Sequence, residues 1–351
     1  MTELTPRLQG LLERFRDGKT VALARAISLV EDERPGFQAF LHAALARSPR
    51  AARLGLTGPP GAGKSSLVAA AATAYRRAGE RVGVVAVDPT SPYSGGALLG
   101  DRIRMNDLAT DPGIFIRSMA TRGSLGGLAT TTKEVLDLMD VFGFERVIVE
   151  TVGVGQTELE ITAATDTVVV VLVPESGDGI QAMKAGLMEI ADIFVVNKAD
   201  RPGADRVVKE IRHAIHLRSG RAPDGVPAHH GVDLSRVGRT PRVAPAVPSE
   251  SGGWSIPVLK TVAQSGEGVS ELLEAVARHR GWLSESGELR RRRRARALNR
   301  VRDVVDRALR RVTWNHAETT AILEVGLDAI QEGAATPYSV ARTILASVLK
   351  E

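Results

Sequence analysis

The sequence predicts an α/β domain with a doubly wound, mainly parallel sheet. Short β-rich runs alternate with helical stretches from Arg53 onward. Several runs are almost unbroken Val and Ile, as strands covered on both faces must be. A glycine-rich loop follows the first run and opens a helix, where a parallel sheet binds its ligand.

Taken in order, the first fifty residues read as helices. Leu8, Leu11, Leu12 and Phe15 share one face, as do Leu23, Ala26, Ile27 and Val30, and then Phe37, Phe40, Leu41, Ala44 and Leu45. Gly18 and Pro35-Gly36 punctuate them. We read residues 1–50 as an N-terminal helical extension and 51–281 as the α/β domain. Its predicted strands are Leu54–Thr57, Val82–Val87, Ile114–Arg117, Arg146–Val149, Thr167–Val173, Ile193–Val196 and Ile256–Leu259. Residues 219–253, rich in Pro, Gly, Ser and Arg, read as an exposed insertion. They include His229 and His230, two ligands that make no closed metal site. Residues 282–351 return to helix. There Leu298, Val301, Val305, Ala308, Leu309 and Val312 form an apolar stripe on a charged helix, which must be buried on its own domain or on a second copy.

Composition removes several chemistries. The 351 residues contain no cysteine, which excludes disulfides, thiolate nucleophiles and cysteine-ligated metals. No apolar stretch reaches the length of a membrane span. The first residues lack a signal core and carry Glu3, Glu13 and Asp17, so a cytoplasmic location is expected. Much of the net charge of +5 lies in Arg290–Arg294 and Arg296. No aromatic residues are interleaved to stack bases, so a solvated helix face is expected there and no nucleic-acid partner.

The loop itself is Gly58-Pro59-Pro60-Gly61-Ala62-Gly63-Lys64-Ser65, a GxxxxGK[ST] phosphate loop between a strand and the helix starting at Ser66. Small residues let main-chain amides converge on phosphates, Lys64 reaches the β- and γ-phosphates, and the Ser65 hydroxyl ligates magnesium. Asn197-Lys198-Ala199-Asp200 follows a strand and reads guanine: Asp200 accepts from N1–H and the exocyclic amine, whereas adenine leaves that carboxylate unpaired. Lys198 would lie on the ring and Asn197 would brace the loop. Thr261-Val262-Ala263 supplies a weaker second base loop, with the Ala263 amide available to the guanine oxygen. Asp88 and Glu150 fall at strand ends beside the phosphate loop and suit magnesium, a hard cation that needs few carboxylates. A P-loop GTPase that binds GTP or GDP with Mg2+ is the reading. A metal-delivery GTPase, a signal-recognition-type GTPase and a P-loop kinase remain as alternatives.

Three longer stretches narrow this. Asp88 to Met105, Glu150-Thr-Val-Gly-Val-Gly-Gln156-Thr-Glu158, and Gly177-Asp178-Gly-Ile-Gln181-Ala-Met-Lys184-Ala-Gly186, together with Asn197–Asp200, closely resemble the MeaB/ArgK family of methylmalonyl-CoA mutase-associated GTPases. The resemblance implies a homodimer that escorts a cobalamin-dependent acyl-CoA mutase, gates its cofactor loading, and protects or reactivates it. An adenosylcobalamin-delivery enzyme is a further implied partner, and no cobalamin is expected on this chain itself. It also implies three switches: the first spans Asp88–Met105 with Asp101 near magnesium, the second Glu150–Glu158 with Gln156. In the third, Asp178, Gln181 and Lys184 couple nucleotide state to the mutase. The C-terminal helices match the family's dimerisation arm. Val262 departs from the serine expected at its position.

Overall fold

The computed structural model describes residues 4–46, 50–88, 108, 110–120, 130–151, 160–174, 186–218 and 253–348. The chain divides into two units, Met1–Leu289 and Arg290–Glu351.

The first unit is built on seven parallel strands. These are β1 (Ala52–Thr57), β2 (Val82–Asp88), β3 (Ile114–Ala120), β4 (Arg146–Thr151), β5 (Thr167–Leu172), β6 (Ile193–Val196) and β7 (Val258–Lys260). Their order is β3-β2-β4-β1-β5-β6-β7. Every pairing is parallel. The continuous Val/Ile runs are explained by the strand period of two, which sends alternate residues to opposite, equally apolar faces. Val82, Val84, Ile148, Val169 and Val171 pack on one side, against α4 (Lys64–Arg77) and α8 (Val269–Glu285). Val85, Val87, Val147 and Val149 point the other way.

That second face carries a finding about the chain's start. The helices α1 (Pro6–Arg16), α2 (Thr20–Glu31) and α3 (Phe37–Ala44) share one buried cluster with α5 (Thr130–Phe142) and with the sheet. Leu23, Ala26, Ile27, Val30 and Phe40 are completely buried within it. The three helices thus form part of the layer that covers the β2–β4 half of the sheet. The other half is covered by the short α6 (Leu187–Ile190) and by α7 (Ala204–Arg218), through Val207, Val208 and Ile211.

Charged groups fix the strand entries. Asp140 of α5 accepts from the amides of Arg50 (2.7 Å) and Ala51 (2.9 Å). The Arg53 guanidinium reaches Asp137 at 2.7 Å and Asp140 at 3.1 Å. Burial opposes the Arg53 charge, yet Asp137 and Asp140 outweigh it and hold the group above its ordinary range. On the other side, His279 of α8 is fully buried, with Thr167 Oγ1 2.9 Å from Nδ1 and Asp192 Oδ1 3.3 Å from Nε2.

The second unit holds most of α9 (Glu288–Asn315), with α10 (Ala317–Gln331) and α11 (Pro337–Val348). Gly287, at φ 73°, separates α8 from α9. The sequence places a helical boundary near 282, whereas Trp282 lies inside α8. Gly326 permits the close approach of α10 and α11, since a Cβ there would stand 2.5 Å from Val340 Cγ1. Helix α9 buries none of its residues: Leu298, Val301, Val305, Leu309 and Val312 are all about half exposed.

Candidate functional site

The phosphate loop leaves β1 at Thr57 and enters α4 at Lys64. Its glycines are sterically required. Gly58 has φ 136°, and a Cβ there would stand 2.0 Å from the Val171 carbonyl oxygen. Gly63 has φ 82° and caps α4, with the Asn197 Nδ2 only 2.4 Å from any added Cβ. Gly61 is also left-handed, at φ 76°. The first amides of α4 therefore face the loop at a helix N-terminus, the arrangement that holds phosphate oxygens.

Lys64 is buried, and its Nζ donates to the carbonyls of Gly58 (2.9 Å) and Pro59 (3.0 Å). Its ammonium is thus folded back over the loop that it serves. Ser65 and Glu150 are also buried, and the Ser65 hydroxyl donates to Glu150 Oε1 at 2.7 Å. Two oxygen donors meeting at one point beside a phosphate loop fit magnesium, which takes hard oxygen ligands and retains waters. Asp88 ends β2, as the sequence predicts, although its side chain lies outside the described residues. Asp101, Gln156, Asp178, Gln181 and Lys184 lie outside them too, as do residues 219–252 of the predicted insertion.

The base side is organised by Asn197. Its amide Nδ2 donates to the Ala62 carbonyl at 2.9 Å. Its Oδ1 accepts from Thr261 Oγ1 and from the Ala263 amide, both at 3.1 Å. One buried side chain thereby joins the phosphate loop to both base loops. The Ala263 N–H, expected to serve guanine, already has Asn197 as its acceptor. Lys198 sits in the left-handed region at φ 55°, unusual for a long side chain, and Asp200 two residues on is exposed. Asp200 lines a cavity of about 100 Å3 with Ala199, Lys260, Thr261, Val262 and Glu267. The loop closing it is tight: Val262 N donates to Glu267 O at 3.0 Å, and Gly268 lies against the Lys260 carbonyl.

One buried pair went unseen in the sequence. The Thr151 hydroxyl donates to Thr57 Oγ1 at 2.9 Å, and both residues are essentially inaccessible. The signal available was a threonine at the last position of both β1 and β4.

A parallel α/β sheet with a phosphate loop at β1, an acidic partner on β4 and a guanine-reading Asn-Lys-x-Asp loop after β6 defines the P-loop GTPases. Within that class, residues 23–318 match the family model described as methylmalonyl Co-A mutase-associated GTPase MeaB, and the chain belongs to this family. A putative GTPase of Pyrococcus horikoshii is 42% identical over 97% of this chain and 98% of its own length. The GTPase ArgK of Escherichia coli is 44% identical over 54% of this chain and 58% of its own. The mouse methylmalonic aciduria type A homolog, a mitochondrial protein, is 34% identical over 78% and 63%. Among solved structures, one titled LAO/AO transport system kinase superposes with a TM-score of 0.66 at 25% identity, covering 99% of this chain and all of the other.

Proposed function

We propose that this GTPase is the accessory partner of an adenosylcobalamin-dependent acyl-CoA mutase, methylmalonyl-CoA mutase foremost, and works as a magnesium-dependent homodimer. One observation carries the partnership: the match spans residues 23–318 of a family described by association with that mutase. In this role it gates cofactor loading and protects or reactivates the mutase.

The chemistry of the step is positioning and charge. Lys64 leaves the carbonyls of Gly58 and Pro59 for the β- and γ-phosphates, while the loop amides hold the remaining oxygens. Ser65 and Glu150, with Asp88 and Asp101, are the groups that would hold magnesium, which supplies positive charge against the phosphate oxygens. Asp200 reads the base edge, and Asn197 keeps both base loops in register with the phosphate loop. Gln156 is not assigned to orient the attacking water, so slow intrinsic turnover is expected, with the partner completing the site. The segments 88–105, 150–158 and 177–186 are the proposed switches, and Asp178 and Lys184 pass the nucleotide state to the mutase. Self-association is supported by the half-exposed apolar stripe of α9.

The test is GTP turnover measured with and without the mutase of the same host. Low basal turnover that rises on adding the mutase is expected. High turnover of the isolated protein, or no response to any acyl-CoA mutase, overturns the partnership.

A further inference from the structure

The last two residues of β4 grip the phosphate loop from opposite faces of the sheet. Strand alternation sends Glu150 to the α4 side, where it takes the Ser65 hydroxyl at the loop's exit. It sends Thr151 to the α2/α5 side, where its hydroxyl meets that of Thr57 at the loop's entry. The parallel register pairs Leu56 with Glu150, so Thr57 and Thr151 are direct lateral neighbours. Both are sealed from solvent, at 0% and 1% exposure. A buried hydroxyl pair costs desolvation that two valines, of the same shape and equal β-propensity, would avoid. On its other side Thr151 is paired in register with Val87, whose side chain lies in the apolar cluster with Val149.

We propose that Thr151 is a positioning residue for the triphosphate state, and that its bond to Thr57 sets the end of β4, and with it the Glu150 carboxylate, against the phosphate loop. Thr151 is also the second residue of the proposed second switch. A displacement there moves the Glu150 oxygen that Ser65 now holds at 2.7 Å, and a cation held there has more phosphate charge to balance with a triphosphate than with a diphosphate. A diphosphate, which also has the loop amides and Lys64, is the less sensitive of the two. The inference rests on the phosphate-site assignment made above.

The experiment compares wild type, Thr151→Val, Thr57→Val, the double valine variant and Thr151→Ser. Dissociation constants are measured for fluorescent GDP and for a non-hydrolysable fluorescent GTP analogue, beside melting temperatures without nucleotide. Each valine variant is expected to weaken the GTP analogue by about five- to tenfold, the value of one lost neutral hydrogen bond, with GDP affinity held within about twofold. The double variant is expected to be no worse than either single one, and Thr151→Ser to restore wild-type values. Equal loss for both nucleotides, or a lower melting temperature with unchanged affinities, assigns the pair to fold stability and overturns the proposal. Failure of both valine variants to fold does the same. Wild-type protein that binds neither guanine nucleotide would instead sink the phosphate-site assignment itself, so the two failures are told apart.

Discussion

Lys64, Asn197 and Asp200 divide the work of the site between charge, bracing and base reading. Replacing Lys64 by Ala removes the ammonium that folds over the loop. Triphosphate affinity is expected to fall by roughly a hundredfold, with the circular dichroism spectrum unchanged. Asp200→Asn tests base selection more sharply. An asparagine offers one acceptor and one donor where the carboxylate offers two acceptors, so it matches xanthine, whose C2 carbonyl stands where guanine has an amine. Calorimetry is expected to show guanine affinity falling by about a hundredfold and xanthine affinity rising. The residues themselves were legible in the sequence because the phosphate loop and Asn-Lys-x-Asp are local strings in a strand-loop-helix context. The triple engagement of Asn197 was not, since its partners Ala62, Thr261 and Ala263 are distant in the chain. Nor did the sequence reveal that the Ala263 amide is taken.

At the scale of elements, α4 depends on what flanks it. Its cap, Gly63, has a left-handed backbone and the Asn197 amide pressed against its Cα hydrogens. Gly63→Ala is expected to abolish nucleotide binding by pushing Asn197 off the Ala62 carbonyl, read out as loss of GDP-dependent thermal stabilisation. At the far end, Arg76 Nε lies 3.1 Å from both Asp111 oxygens, and the Gly113 amide donates to Asp111 Oδ1 at 2.7 Å. The Arg76 hydrogen bond, and then the Gly113 amide, hold the Asp111 carboxyl below its ordinary range. A lowered folded-state value means stability that is present above the ordinary carboxylate range and lost as pH falls through the lowered one. Asp111→Asn is therefore expected to melt below wild type at neutral pH and to converge with it as pH falls through the lowered Asp111 value. Strand identities were readable because buried parallel strands are written as apolar runs. Their ends were less so: β3 continues to Ala120 and β4 to Thr151, three and two residues past the predicted Arg117 and Val149, because the backbone pairing with β2 runs on through Ser118, Glu150 and Thr151, where the polar residues break the apolar run.

For the molecule as a whole, the sheet and its helices place phosphate and base loops at one edge, and α9 presents an apolar stripe of its own. If that stripe is the self-association surface, Val305→Asp should yield a monomer by sedimentation velocity while GDP binding persists. Among the described residues no helix is long and apolar enough to cross a membrane. Fold class came through in the sequence because both layers of helices and the sheet repeat a simple apolar period. The layer assignment of α1–α3 did not, since an amphipathic helix announces that it needs cover without saying which surface supplies it.

That layer bears on how the protein can be dissected. A fragment starting at residue 51 would look like the natural minimal nucleotide-binding domain, yet it would strip the lid from Val85, Val87, Val147 and Val149. Such a truncate would carry every nucleotide-contacting motif and still be expected to precipitate on expression, so any soluble minimal version has to keep the opening helices.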